Sequence, residues 1–287
     1  MNYPKGFDRR RALQLGGLVA RAYDQLDSFN RNQAWTVGES YLLVRELRYF
    51  GSEGTHGKLH LAHFDRESRR LTKTGSQRAQ GVPMGFLATQ GSEAFLVFRG
   101  TMTTTEWLAD LKVKLVSCPY LGSGKVHEGF LRTYELLRTS VLDSLKELRR
   151  STRLFITGHS LGAGLATLSA VDILSSGLGV SLIIYTFASP RVGDGAFAAA
   201  YNAMLKGKSF RIANSCDMVT LVPFPVPFLG VVGGYFTHVE AAVDFTTQRE
   251  DVEKNHEIGT YLEALESRDT GRGLLGQIFN RGRTTSR

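Results

Sequence analysis

The segment Gly158-His159-Ser160-Leu161-Gly162 is well suited to chemistry, because it places a serine between two glycines in a G-x-S-x-G spacing. A β-rich run at 153–157 precedes it and a helical pattern at 163–174 follows it. A sharp strand-to-helix turn strains the serine backbone and leaves no room for side chains two residues away, which explains the glycines. The setting predicts that Ser160 is a nucleophile; the alternative is an incidental serine in a tight turn.

A serine hydroxyl is a poor nucleophile near neutral pH, so it needs a histidine base that a carboxylate orients. If acid and base follow the serine along the chain, only His238 and His256 leave room for an acid in between. His256 stands at the apparent start of the C-terminal helix, where its ring can point at the sheet edge. His238 leads into a strand-like run at 239–245. We therefore favour His256 as the base.

Asp217 is the favoured acid, because it follows the predicted strand 209–213 and so stands at the carboxyl end of a strand. Asp194 follows the preceding strand and is the runner-up. Asp172 lies within the helix after the serine and is expected to point elsewhere, and Asp251 is expected to be a solvated surface charge.

A developing negative charge on a substrate oxygen requires backbone N–H groups aimed at it. Leu161, the residue after the serine, would supply one of them. Thr101 would supply the other, since it follows a predicted strand at 94–98 and a glycine that permits a turn. The alternative for this stretch is a simple strand-exit turn.

A short helix is predicted just beyond Thr101. Residues 103–106 have the capping-box pattern Thr-x-x-Glu, and Trp107, Leu108 and Leu111 give the segment an apolar side. Such a helix beside a reactive serine could be a lid that opens at a lipid surface. A fixed helix with Trp107 in the core is an equally good interpretation.

The elements that must position these residues alternate along the chain. The predicted strands are 94–98, 153–157, 182–187 and 209–213, and the predicted helices are 129–149, 163–174 and 195–206. Strands that alternate with helices indicate an α/β fold with a mostly parallel sheet that is buried on both faces. In such sheets the chemistry lies where strands end and helices begin.

Two apolar stretches were tested as targeting or membrane segments. Arg9, Arg10 and Arg11 precede an apolar run loosely like an export signal, but its apolar residues have helical spacing, which favours a first amphipathic helix. Residues 218–236 carry no charge, but prolines and glycines interrupt them, so we predict an apolar loop. With no clear signal peptide or transmembrane helix, we expect a cytoplasmic protein or one exported without a standard signal.

Composition limits the classes of protein to which this chain can belong. The 287 residues are 42% hydrophobic and 22% charged, which fits one globular domain over 1–287, with a Gly/Arg-rich flexible tail at 268–287. The net charge of +8 is spread along the chain without a nucleic-acid-binding motif. Cys118 and Cys216 are expected to be free and buried. The histidines at 56, 60 and 63 form no ligand cluster that would support a metal site, and nothing indicates the oligomeric state.

Taken together, several motifs resemble the fungal-type lipases known as the class 3 lipase family. They run in the family's order across roughly residues 83–265, and jointly they are far more specific than any one of them. The matching stretches are 98–101, 107–111, 126–130, 157–166, 187–193, 214–223 and 256–262.

The resemblance implies an α/β-hydrolase-like fold with a short lid helix and action on acylglycerols or related lipid esters, without a metal or cofactor. It implies a triad of Ser160, Asp217 and His256, with oxyanion donors from Thr101 and Leu161. It further implies that Asp110 anchors the Thr101 loop, that 104–109 with Trp107 lies in the lid region, and that His238 is structural. His127 and His159 match family positions and would brace the site.

Three functions fit these residues. The first is a serine carboxylic-ester hydrolase that forms an acyl-enzyme on Ser160 and binds lipid surfaces transiently through the lid. The second is an acyltransferase that uses the same triad with an alcohol as acceptor. The third is a catalytically silent lipid-binding module. It is disfavoured because the sequence offers a nucleophile, an acid, a base and oxyanion donors, and a binding module needs no base after an acid at those sites.

Overall fold

The computed structural model describes residues 3–50, 80–101, 114–223 and 235–267. Its helices are α1 (Arg9–Asn30), α2 (Glu128–Lys146), α3 (Leu161–Ser175), α4 (Gly195–Met204), α5 (Val252–His256) and α6 (Ile258–Glu266), with a 3-10 turn at Met218–Leu221. Its strands are β1 (Leu42–Tyr49), β2 (Val82–Gln90), β3 (Glu93–Phe98), β4 (Leu115–Ser117), β5 (Lys125–His127), β6 (Arg153–His159), β7 (Leu182–Phe187), β8 (Gly193–Asp194), β9 (Ser209–Asn214), β10 (Phe236–Thr237) and β11 (Ala242–Phe245).

The central sheet has seven strands in the order β1-β2-β3-β6-β7-β9-β11. The pairs from β3 through β11 are parallel, and β1 and β2 add an antiparallel end. The four strands predicted from the sequence are β3, β6, β7 and β9, so the predicted α/β class with a mostly parallel sheet is confirmed. The antiparallel end and a small sheet of β10, β8, β5 and β4 were not foreseen.

Both faces of the central sheet are covered, as predicted. On one face, Leu96 and Ile156 pack with residues of α2 and α3 such as Phe130 and Leu165. On the other face, Phe95 packs with residues of α1 and α6. Because alternate strand residues point to opposite faces, each central strand contributes to both cores.

The N-terminal apolar stretch forms α1, which confirms the predicted amphipathic helix. The Asp8 carboxylate caps it by accepting hydrogen bonds from the backbone N–H groups of Arg10 and Arg11 at 2.8 and 3.1 Å. The buried residues of α1, among them Leu15, Leu18 and Val19, follow the helical spacing. None of the helices in the described ranges combines the length and apolar character needed to cross a membrane.

Several predicted features fall outside the described residues. They are the capping box at 103–106, Trp107, Asp110, the three histidines at 56, 60 and 63, the tail at 268–287 and most of the apolar loop. The apolar stretch begins with the 3-10 turn Met218–Leu221. Both cysteines are free as predicted, but only Cys118 is buried; the prediction of a buried Cys216 is wrong, since that residue is partly exposed in the turn after β9.

Candidate active site

Ser160 lies between the last residue of β6 and the first residue of α3. Its φ of 59° and ψ of −129° belong to a strained region that non-glycine residues seldom adopt. The glycines on either side are required by packing. A Cβ at Gly158 would lie 2.2 Å from the Gly162 carbonyl oxygen, and one at Gly162 would lie 2.4 Å from the Arg99 carbonyl oxygen. The predicted strand-turn-helix setting is therefore present.

Asp217 and His256 form a buried pair. The Asp217 Oδ2 atom lies 2.7 Å from His256 Nδ1, and both side chains are at most 4% exposed. Asp217 follows β9 and caps the 3-10 turn, where its Oδ1 accepts a hydrogen bond from Val219 N at 2.9 Å. Because a carboxylate accepts, His256 carries its proton on Nδ1, which leaves the lone pair on Nε2 for a substrate or nucleophile proton.

His256 Nε2 is buried and, within the described part of the chain, has no hydrogen-bond partner. In particular, no hydrogen bond joins it to Ser160 Oγ. The two residues are nevertheless neighbours through His159, whose Nε2 lies 2.7 Å from the His256 carbonyl oxygen and whose ring centroid is 4.6 Å from that of His256. Nucleophile–base hydrogen bonds are often long without substrate and tighten when it binds.

The position of His256 differs in one respect from the expectation. It ends the short helix α5 and does not begin the C-terminal helix, because Glu257 has an extended ψ of 138° that separates α5 from α6. The break lets the His256 carbonyl accept from His159 while the ring reaches Asp217.

Two residues that hold Asp217 and the segment before His256 were not assigned roles from the sequence. Tyr261 in α6 donates its hydroxyl proton to Asp217 Oδ2 at 2.6 Å. Asn214, fully buried at the end of β9, donates through Nδ2 to the carbonyls of Thr247 and Asn255 at 2.8 and 3.1 Å. Asn214 thus ties the strand before Asp217 to the segment before His256. Only the tertiary contacts reveal these roles.

The loop after β3 lies against the serine. A Cβ at Gly100 would come within 2.8 Å of Ser160 Cβ, so the chain passes close to Ser160 one residue before Thr101. The fully buried Arg99 donates through Nη1 to the Gly100 carbonyl and through Nε to the Pro83 carbonyl, both at 2.6 Å. Since a trans peptide places its N–H opposite its carbonyl, Arg99 orients the Thr101 N–H. Thr101 itself is 6% exposed, and Leu161 is 2% exposed.

The other carboxylates that the sequence offered have different partners. Asp194 caps α4 through a 2.8 Å hydrogen bond from Phe197 N, and Asp251 caps α5. Asp172 is held bidentately by Arg138 and accepts from Tyr134, both at 2.8 Å. Among these four carboxylates, Asp217 is the one whose side chain contacts a histidine.

The remaining histidines of the described chain have structural contacts. His238 Nε2 donates to the Thr220 carbonyl at 2.7 Å, and burial together with nearby Arg211 lowers its pKa to about 3. His127 caps α2 by accepting from Gly129 N at 3.1 Å. Burial, followed by the effect of His256, lowers the pKa of His159 well below its usual value. In the described ranges, no group of three potential ligands could hold a metal ion.

Comparison with known proteins finds a family that matches part of the chain. The family described as lipase (class 3) matches the chain over residues 95–226. These 132 residues, the class 3 lipase segment, make up slightly less than half of the 287-residue chain. The match confirms the resemblance drawn from the motifs. The class 3 lipase segment contains Ser160, Asp217, Thr101 and Leu161, whereas His256 lies beyond it.

Individual relatives resemble the class 3 lipase segment and its surroundings. A lipase of Rhizomucor miehei is 44% identical over 112 residues, covering 36% of this chain and 30% of the relative. Phospholipase A1-II 1 of Oryza sativa subsp. indica is 35% identical over 169 residues, covering 47% of this chain and 43% of the relative. The chain thus spans less than half the length of these curated relatives.

A solved structure extends the likeness of fold beyond the class 3 lipase segment. A crystal structure of MDLA from Penicillium cyclopium aligns with a TM-score of 0.56 at 22% identity, covering 85% of this chain and 83% of that one. At this identity the likeness concerns the fold. It agrees with the α/β-hydrolase-like architecture expected from the sequence.

Proposed function

We propose that this protein is a serine carboxylic-ester hydrolase of the lipase type, with Ser160 as nucleophile, His256 as base and Asp217 as the acid that orients the base. The observation that carries the proposal is the buried Asp217–His256 pair at 2.7 Å, next to a serine held in a strained strand-to-helix turn. Lipase and phospholipase A1 are the names of relatives of the segment that contains the serine.

The reaction follows from these positions. Ser160 Oγ attacks the ester carbonyl carbon while His256 Nε2 takes the hydroxyl proton. The N–H groups of Leu161 and Thr101 donate to the resulting oxyanion. Collapse breaks the bond to the alcohol oxygen, which leaves with the proton from His256. Water then attacks the acyl-enzyme with the same proton transfers and releases the carboxylic acid.

Replacing the nucleophile tests the proposal directly. Ser160→Ala is expected to lower kcat on p-nitrophenyl esters by at least about 10³-fold, because the acyl-enzyme has no attachment point. The variant should fold as the wild type does, since it loses one oxygen and keeps the turn. Retained activity with a wild-type circular dichroism spectrum would refute the assignment.

The acid is tested by a matched pair in the same assay. Asp217→Asn is expected to lower kcat by roughly 10²- to 10⁴-fold, because an amide cannot stabilise the imidazolium that forms on His256. Asp194→Asn removes a carboxylate that caps α4 and should leave kcat near the wild-type value. If Asp194→Asn proves the more damaging change, Asp217 is not the acid.

The substrate class within this proposal is a lipid ester, bound at a lipid surface through the segment 103–111. Its apolar side and its place after Thr101 in the sequence support a lid. We expect the rate to jump when a short-chain triglyceride passes from dissolved to emulsified. Smooth saturation through that point would contradict the lid. Phospholipid vesicles assayed in parallel would show whether triglyceride or phospholipid is hydrolysed faster.

A further inference from the structure

A chain of polar contacts runs from the N-terminal helix into the proposed site. Tyr23, in α1, has its hydroxyl oxygen 2.8 Å from His159 Nδ1 and 3.0 Å from the backbone nitrogen of Gly100. His159, the residue before the proposed nucleophile, reaches the His256 carbonyl with Nε2 at 2.7 Å. These hydrogen bonds therefore connect the loop before Thr101, the serine turn and the segment that carries the proposed base.

The chemistry of the end groups sets the direction of every hydrogen bond. A carbonyl oxygen only accepts, so His159 Nε2 carries a proton and donates it to His256. Burial lowers the pKa of His159 well below its usual value, which keeps the ring neutral and leaves a lone pair on Nδ1. Nδ1 then accepts the hydroxyl proton of Tyr23, whose oxygen accepts from the Gly100 N–H.

Both ends of this chain fix groups on which the proposed reaction depends. At one end, Arg99 Nη1 holds the Gly100 carbonyl at 2.6 Å, in the peptide that carries the Thr101 N–H, and Tyr23 holds the Gly100 N–H, in the peptide before it. The two successive peptides that lead to Thr101 are therefore both held. At the other end, His159 holds the backbone of His256 beside the serine turn.

The packing around Gly100 leaves little tolerance for movement. A Cβ there would lie 2.5 Å from the Tyr23 hydroxyl oxygen, 2.8 Å from Ser160 Cβ and 3.0 Å from the His159 carbonyl oxygen. Tyr23, His159, Gly100 and Ser160 thus meet within one close-packed cluster. A shift of about 1 Å at such a place costs rate without unfolding the protein.

We propose that Tyr23 and His159 are positioning residues for ester hydrolysis, which hold the Thr101 loop and the His256 backbone in register with Ser160. The inference rests on the proposed function. It makes α1 part of the catalytic machinery as well as cover for the sheet. Neither residue exchanges a proton with substrate; each acts through the peptide it holds.

The first experiment compares two variants that each lose a tyrosine hydroxyl. Tyr23→Phe removes both the acceptor of the Gly100 N–H and the donor to His159, so kcat should fall at least roughly three- to tenfold, with KM within about twofold of wild type. Tyr201→Phe is the control, because its hydroxyl also makes a buried hydrogen bond, to Ser209 at 3.0 Å, on the remote helix α4. Its kcat should stay unchanged. Equal kcat in Tyr23→Phe and wild type would overturn the proposal.

A second measurement does not depend on activity. In ¹⁵N-histidine NMR spectra of the wild type, His159 should be a neutral ring protonated on Nε2 across pH 5–8. In Tyr23→Phe its Nδ1 resonance should shift, and the Gly100 amide should exchange faster with solvent. A proton on Nδ1, or unchanged signals in the variant, would overturn the network.

The two proposals fail in different ways. If the wild type hydrolyses no ester, the proposed function falls and the positioning role falls with it. If the wild type is active and Ser160→Ala is not, while Tyr23→Phe equals Tyr201→Phe, only the positioning role falls.

Discussion

The Asp217 carboxylate accepts hydrogen bonds on both of its oxygens. Three donors converge on it: Val219 N on Oδ1, and His256 Nδ1 with the Tyr261 hydroxyl on Oδ2. Hydrogen bonds to both oxygens fix the direction of the carboxylate. The proposed base is therefore oriented by a carboxylate that is itself held on both oxygens.

Tyr261 offers a prediction at this scale. Tyr261→Phe removes one donor from Oδ2, so Asp217 gains freedom and kcat should fall roughly three- to tenfold. Tyr134→Phe is a matched control, because it removes the same kind of bond, at 2.8 Å, from Asp172, whose side chain is held by Tyr134 and Arg138. Both variants should lose about 1–2 kcal/mol of unfolding free energy, measured with urea. An equal kcat for the two variants would argue against a role for Tyr261 in catalysis.

At the scale of elements, α1 and α6 pack against each other on one face of the sheet. The contact passes over Gly16, where a Cβ would lie 2.5 Å from Leu262 Cδ2 and 3.2 Å from Phe187 Cζ. The next residue, Gly17, is different, since in the described chain no atom beyond its neighbours and the local helix backbone lies within 4 Å of a Cβ placed there. Substitutions at Gly16 and Gly17 therefore distinguish the effect of helix propensity on stability from the effect of packing.

This contrast gives a prediction about α1. Gly17→Ala should raise the unfolding free energy by about 0.5–1 kcal/mol, because alanine restricts the unfolded chain and favours a helix. Gly16→Ala has the same propensity gain but forces Leu262 to move, so it should be less stable than Gly17→Ala. Urea unfolding at pH 7 measures both. Equal stabilisation would show that α6 does not pack over Gly16 as described.

At the scale of the whole molecule, stability depends on pH through buried neutral histidines. Burial and the nearby charges of Arg211 and Arg191 lower the pKa of His238 from 6.5 to about 3, and His159 shifts in the same direction. Below pH 6.5 the unfolded chain therefore binds protons that the folded chain does not. These groups stabilise the fold above that pH, and their contribution is lost as the pH falls toward 3.

The corresponding prediction uses a side chain that does not titrate. His238→Gln retains an N–H that can donate to the Thr220 carbonyl. Between pH 7 and pH 5 the wild type should lose about 1–2 kcal/mol more unfolding free energy than the variant, because one proton fewer is linked to unfolding in the variant. Chemical denaturation at the two pH values measures the difference. Identical losses would show that His238 titrates normally in the folded protein.

The sequence predicted the parallel part of the fold well and the antiparallel part not at all. β3, β6, β7 and β9 are short apolar runs, so local composition suffices to place them. β1 and β2 are recognised by their pairing with β3, a long-range contact that no local pattern encodes. The small sheet could not be predicted for the same reason, since its strands have only two or three residues each.

The sequence by itself determined the serine turn, because the glycines at 158 and 162 and the flanking strand and helix are all local features. The order of residues along the chain also indicated which aspartates and histidines could be the acid and the base. Only the tertiary structure decided that Asp217 meets His256, and that Tyr23, Asn214 and Tyr261 support them, since these contacts join residues far apart in the chain. Short-range patterns reflect backbone preferences, whereas such partners are selected by the burial of polar groups that must find one another away from water.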